Sequence, residues 1–232
     1  MNRLTEGILD ILFPPTCIAC RADGAWLCGR CLFSIPLRHA PSCPRCGVRR
    51  HGVDDPCKGD WPFRSVTILG DYHDPVLRSL ITTFKYQSAR CLSSSFGLLL
   101  KRFRDEWQGA WPWAGLSGGT VVPTPSDPKH VRQRGMDHGT LLADHVKQEL
   151  IPWAGLEQPL FRQPRRWKNA DLQAPEQRAA NVSGSVLATA TVSGPVFLID
   201  DVVTSGATAT EIARVLQQAG ATEVHLIALA AG

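Results

Sequence analysis

No stretch of this chain is apolar over the roughly 18 to 20 residues that a membrane-spanning helix requires, so no span is expected. A secretory leader is not expected either: MNRLTEGILDILFPPTC has an apolar flavour, but Glu6 and Asp10 interrupt it and no small-residue cleavage site follows. After residue 60 no motif recurs in a second copy, which argues against solenoids and propellers. Neither a G-x-x-x-x-G-K-[ST] loop nor a G-x-G-x-x-G turn is present, so two common phosphate cradles are missing. Charge of one sign is also in small excess. Twenty-five Lys and Arg against 21 Asp and Glu leave a formal +4, which suits a phosphorylated ligand or nucleic acid and compels neither.

What is present is an ordinary globular composition, 44% hydrophobic and 20% charged, which argues against disorder. At 232 residues the chain can bury a sizeable core, and one main domain with a small appendage fits its length. With no leader and no span, the expected compartment is the cytoplasm. There, clustered cysteines hold metal more often than they form disulfides.

Seven of the eight cysteines precede residue 60: Cys17-x-x-Cys20, Cys28-x-x-Cys31, Cys43-x-x-Cys46 and Cys57. A C-x-x-C turn aims two thiolates at one tetrahedral ion, and two such turns close a structural zinc site. Cys17, Cys20, Cys28 and Cys31 are assigned to one zinc on this ground. Cys43, Cys46 and Cys57 supply three thiols where a fourth is needed, with Asp60, His51 or His39 as candidates to complete a second site. The spacing also leaves open an interleaved pairing of Cys17 and Cys20 with Cys43 and Cys46. A thioredoxin-like redox pair is disfavoured, because prolines and arginines rather than a βαβ context surround these turns.

After a linker at WPF, strands and helices alternate. SVTILGDY reads as a strand, and DPVLRSLITTFKY as a helix opened by Asp74 with Pro75 in its first position. A second helix follows over roughly 90 to 107, then a Gly- and Pro-broken segment, then TVVPTP as a short buried strand. DHGTLLADHVKQEL places Leu141, Leu142, Val146 and Leu150 on one helical face. Residues 157 to 186 are basic and irregular, the pattern of a long functional loop or small flap. A strand at 196–200, a helix at 207–219 and the strand EVHLIALA complete the pattern. Alternation of this kind predicts an α/β fold with a parallel sheet flanked by helices.

VFLIDDVVTSGATATEIARVLQQAG, residues 196 to 220, carries the densest chemistry. Val196 to Ile199 is a continuous apolar run, as a strand buried on both faces requires. Asp200 and Asp201 follow at the carboxyl edge, where parallel sheets bind ligands. Two adjacent carboxylates need partners, and sugar hydroxyls supply them. Thr204, Ser205, Gly206, Ala207 and Thr208 are small enough for backbone N–H groups to converge before a helix N-terminus, which is a monophosphate cradle. Together they read as a ribose 5-phosphate site.

VFLIDDVVTSGAT resembles the phosphoribosyl pyrophosphate signature of type I phosphoribosyltransferases. With LFPPTCIAC, FKYQSAR, VVPTPSDPKHVRQRGMDHGTLLA and QRAANVSGSV, the chain resembles the ComF family, which includes the GntX proteins. The resemblance implies a zinc ribbon over residues 1–60 and a type I phosphoribosyltransferase domain with a hood over 61–232. It further implies a structural Zn2+, a Mg2+ bound with phosphoribosyl pyrophosphate, and a role in natural competence or the use of DNA beside a helicase. By position, Asp200 and Asp201 would bind ribose, Asp201 taking a proton from the acceptor, and Thr204 to Thr208 would bind the 5′ phosphate. Arg132 and Arg134 would add charge behind the pyrophosphate loop, Lys85 and Tyr86 would lie near the pocket, and Gln173, Arg178 and Asn181 would belong to the hood. The sequence departs from the family at Met136-Asp137-His138, where an aromatic residue and Asn-Gln are usual.

Two rival readings keep the same pocket. One is a nucleotide-sensing adaptor whose ribbon docks a protein or single-stranded DNA, with Trp26, Phe33, Trp61 and Trp167 as stacking platforms. The other is a nucleobase salvage phosphoribosyltransferase.

Overall fold

A computed structural model of the chain describes residues 15–38, 61–86, 89–163 and 184–232. Five parallel strands form the main sheet: β1 (Ser65–Asp71), β2 (Thr120–Pro123), β3 (Gly155–Leu156), β6 (Gly194–Val203) and β7 (Ala221–Ala231), in the order β1-β7-β6-β2-β3. A separate antiparallel pair joins β4 (Leu160–Arg162), which lies inside the 157–186 segment expected to be irregular, to β5 (Val186–Ala188) at its end. The expected parallel α/β architecture is therefore present.

The helices are α1 (Gly29–Ser34), α2 (Pro75–Tyr86), α3 (Ala89–Glu106), α4 (Pro128–Arg134), α5 (His138–Leu150) and α6 (Ala207–Gln218). α2 begins where its sequence says it should. Asp74 Oδ1 accepts from the N–H groups of Val76 and Leu77 at 3.1 and 2.8 Å, with Pro75 placed where no N–H is needed.

Successive strand residues point to opposite faces, and β6 feeds two cores in this way. Phe197 and Ile199 join the side of the sheet that carries α2, α3 and α5, while Val196 and Leu198 join the α6 side with Val186 of β5. All four are at most 1% exposed, which explains the unbroken apolar run. The Gly- and Pro-broken segment contributes to the first core through Trp113, 4% exposed and stacked on Trp111 at 5.0 Å, with Trp107 also stacked on Trp111 at 4.4 Å.

The cysteine-bearing segment is not a loose appendage. Leu27, Cys31, Leu32, Ile35 and Leu37 are buried in the same cluster as Leu69, Leu77 and Leu80. The Arg102 guanidinium of α3 donates to the carbonyls of Leu32 and Ile35 at 2.7 and 3.1 Å, and the Arg38 N–H donates to Leu69 O at 2.8 Å.

His225 of β7 is 1% exposed, stacked on Phe197, and bonded through Nδ1 to Ser65 Oγ at 2.7 Å and through Nε2 to Glu223 at 3.2 Å. Burial holds its pKa below the ordinary 6.5, against the pull of Glu223. The unfolded chain thus takes up a proton before the native state does, and the stability contributed by neutral His225 is lost as pH falls below about 6.5. Urea unfolding at pH 7.5 and 5.5 checks this. The stability of the native chain relative to His225→Asn should shrink on acidification; a constant difference contradicts the assignment.

Candidate ligand cleft and metal centre

β2 leads through α4 and α5 outward to β3, whereas β6 leads through α6 in the other direction to β7. The adjacent pair β2 and β6 is thus the point where the winding reverses, and parallel sheets bind ligands outside the carboxyl ends of such a pair. A cleft of about 190 Å³ lies there, lined by Thr124, Arg162, Asp200 and residues 202 to 209.

The loop after β6 is shaped for backbone donors. Gly206 adopts φ 74°, left-handed, and serves as N-cap of α6 without any side-chain cap bond. A β-branched residue resists that conformation, and the first-turn N–H groups of α6 that no side chain caps face the cleft with the positive end of the helix dipole. Ser205 Oγ makes a long contact of 3.5 Å to the Ala207 N–H. Trp61 packs behind this loop: its ring lies 3.7 Å from where a Gly206 Cβ would stand.

The two acidic residues divide between the faces. Asp200 continues the α6 side and lines the cleft, accepting from the Asp201 N–H at 2.9 Å. Asp201 emerges on the other side and pairs with Lys85 Nζ at 2.7 Å, both side chains little more than a quarter exposed. Burial, together with the charge of Asp201, raises the Asp200 carboxyl to about 7, outweighing the Asp201 N–H, Lys85 and Arg162, which pull it down. Asp200 consequently exchanges its proton near neutrality.

The remaining sequence candidates are placed as follows. Thr204, Ser205, Gly206, Ala207 and Thr208 line the cleft. Lys85 reaches Asp201 without lining it, and Arg132 is exposed on α4 outside the lining. Tyr86 and Arg134 close α2 and α4, their side chains outside the described set, as are Gln173, Arg178, Asn181 and Trp167. Trp26 and Phe33 are exposed, with Arg102 over the Phe33 ring at 5.3 Å.

Asp137, which departs from the family pattern, has a local role. It caps α5 through the Gly139 N–H at 3.0 Å and accepts from Ser126 Oγ at 2.8 Å and Thr140 Oγ1 at 3.1 Å. Its charge is thereby engaged, and it ties the loop after β2 to the helix. Arg162 was invisible to sequence reasoning because it sits in the segment without periodicity.

The four Sγ atoms of Cys17, Cys20, Cys28 and Cys31 all lie within 4.8 Å of one another, so the structure joins the first two pairs. Cys20 and Cys28 are 3.7 Å apart at sulfur, close to the edge of about 3.8 Å that a tetrahedron with 2.3 Å Zn–S bonds requires. Without a cation the thiols oppose each other. Burial works against the Cys17 thiolate, yet N–H bonds from Cys20, Cys28 and Ala19 bring its pKa down to about 6, while burial and the other three sulfurs push Cys31 up to about 12. A divalent soft metal relieves that conflict, and the donor set fits structural zinc. Cys43, Cys46, Cys57, Asp60, His51 and His39 lie outside the described residues.

Comparison with known proteins adds three findings. Residues 8–59 match the double zinc ribbon domain family. The chain is 28% identical to competence protein F of Haemophilus influenzae, over 92% of this chain and 96% of that protein. The structure also aligns with the B. subtilis glutamine phosphoribosylpyrophosphate amidotransferase complexed with ADP and GMP (19% identity, TM-score 0.37) and with an allosteric regulatory enzyme of purine biosynthesis (20%, TM-score 0.38). Each alignment covers 63% of this chain and 30% of the other. Among the described residues, no helix is long and apolar enough to cross a membrane.

Proposed function

We propose that this chain is a ComF-type protein, a zinc ribbon joined to a phosphoribosyltransferase-type α/β domain, as its likeness to competence protein F and its match to the double zinc ribbon support, and that its cleft binds phosphoribosyl pyrophosphate or a related ribose 5-phosphate ligand together with Mg2+. The observation that carries this reading is the convergence, at the reversal between β2 and β6, of Asp200 with an uncapped, glycine-opened helix N-terminus. We further assign residues 1–60 to the ribbon and 61–232 to the ligand-binding domain, with Arg132 and Arg134 retained as candidates to attract the pyrophosphate.

In this reading the N–H groups of 204–208 hold the 5′ phosphate, and the carboxylates of Asp200 and Asp201 accept from ribose hydroxyls and offer oxygen donors to the metal. Bound Mg2+ supplies charge neutralisation to the departing pyrophosphate. Lys85 holds Asp201 in an ion pair. The mobile proton is assigned to Asp200, whose carboxyl is raised by burial to about 7, and it is Asp200 that can relieve an incoming acceptor of its proton. The reaction class is pentosyl transfer.

The name of competence protein F supports a role in competence; single-stranded DNA and a competence helicase as partners, and the cytoplasm as the compartment, are part of the same proposal. A thermal-shift titration tests the ligand assignment. Phosphoribosyl pyrophosphate at about 100 times its dissociation constant should stabilise the native chain by roughly 2.7 kcal/mol in the presence of Mg2+. Gly206→Val, strained by roughly 1–2 kcal/mol in a left-handed backbone, should lose that response; an equal response in the variant removes the cradle from the account.

A further inference from the structure

We propose that Arg162 supplies the positive charge that meets the ligand's phosphate in this cleft, an inference that rests on the phosphoribosyl reading above. Among the described residues lining the cleft, Arg162 is the one that carries a positive charge. The cations expected from the sequence stand elsewhere: Arg132 is exposed on α4, and Lys85 is engaged with Asp201 at 2.7 Å. A helix N-terminus offers only about half an elementary charge, too little for a dianionic phosphate beside the Asp200 carboxyl.

The placement of Arg162 is built into the fold. It ends β4, in register with Val186 of β5. Val186 is 1% exposed in the core shared with Ile212 and Leu216 of α6, so the β4–β5 pair is anchored on the helix whose N-terminus opens the cleft. Nε and Nη2 of Arg162 are shielded from solvent, which strengthens their pull on an anion relative to an exposed arginine. The guanidinium already acts on Asp200, drawing its carboxyl down against burial.

A phosphate seated on residues 204 to 208 presents oxygens to the same space, and the planar guanidinium fork takes two of them at once. Arg162 thereby selects phosphorylated sugars over uncharged ones, and it does so from a sheet separate from the signature loop.

The test titrates ribose 5-phosphate into the full chain and its Arg162→Ala and Arg162→Lys variants, with the melting temperature of each recorded. Arg162→Ala should bind about 10- to 100-fold more weakly, the range for a lost hydrogen bond to a charged group, and Arg162→Lys should recover part of the loss. Because Arg162→Ala can disturb folding, the wild type labelled with 15N-arginine supplies a second readout. Its Arg162 Nε–H resonance, identified by its disappearance in Arg162→Lys, should shift as ribose 5-phosphate saturates. Wild-type binding with an unmoved Nε–H resonance, or with undiminished affinity in a folded Arg162→Ala, overturns this inference alone. Absence of binding by the wild type overturns the phosphoribosyl reading and this inference with it.

Discussion

Asp200→Asn is expected to abolish magnesium-dependent binding of phosphoribosyl pyrophosphate and, at pH 8, to raise the melting temperature. Both effects have one cause. Burial and the neighbouring Asp201 charge hold the Asp200 carboxyl at about 7, well above its ordinary 3.8. Between these values the native state keeps a proton that the unfolded chain has released, so ionisation of Asp200 progressively destabilises the fold as pH rises from about 4 to 7. Above 7 that penalty is complete. Asparagine removes the charge and keeps an oxygen to accept from the Asp201 N–H.

Raising the carboxyl from 3.8 to about 7 corresponds to roughly 4 kcal/mol, so at about 2–4 °C per kcal/mol for a chain of this size the variant should gain on the order of 10 °C at pH 8, and the gain should vanish near pH 4. Thermal melts of both proteins across that range check it. A variant no more stable than the wild type at pH 8 would mean that Asp200 is not under strain. Active sites commonly hold such groups at a cost to stability, and the pairing of lost ligand with gained stability separates a functional carboxylate from a structural one.

The second large effect concerns zinc. Removing the metal should unfold more than the ribbon, because the ribbon is packed into the core of the sheet domain. Cys17, Leu32 and Ile35 share one cluster with Leu77, Leu80 and Phe96, and Arg102, its side chain 13% exposed, bridges from α3 to the carbonyls of Leu32 and Ile35. Structural zinc in small ribbons contributes on the order of 10 kcal/mol of folding free energy. Chelation, or Cys31→Ser, should lower the melting temperature of the whole chain by more than about 10 °C in a single transition. Calorimetry of native and chelator-treated protein decides this. An early transition for the ribbon beside an unchanged main transition would show that the two units are thermodynamically independent.

Much of this was legible before the structure. β6 was readable because four consecutive apolar residues demand burial on both faces, and α2 because Asp74-Pro75 is a start signal with its own geometry. The first four cysteines were readable because two knuckles at that spacing admit a tetrahedron, and the structure gathers those four. Other features depend on long-range partners that periodicity does not report. α4, seven residues opened by Pro128, has too few turns for an amphipathic signal. Asp137 departs from the family pattern in sequence, and the structure gives it Ser126, Gly139 and Thr140 as donors. Asp200 and Asp201 were both assigned to ribose, with Asp201 as the base, yet strand parity sends them to opposite faces and gives only Asp201 to Lys85. Arg162 gained its place through the anchoring of β5 on α6, a tertiary fact.

The central claim is that the cleft beyond β2 and β6 is a phosphoribosyl site. Calorimetric titration of phosphoribosyl pyrophosphate, with and without Mg2+, into the wild type and into Asp200→Asn/Asp201→Asn tests it most directly. The account predicts saturable binding that requires Mg2+ in the wild type and no detectable heat in the double variant. Binding that survives in the double variant, or wild type that takes up no ligand with Mg2+ present, would contradict it.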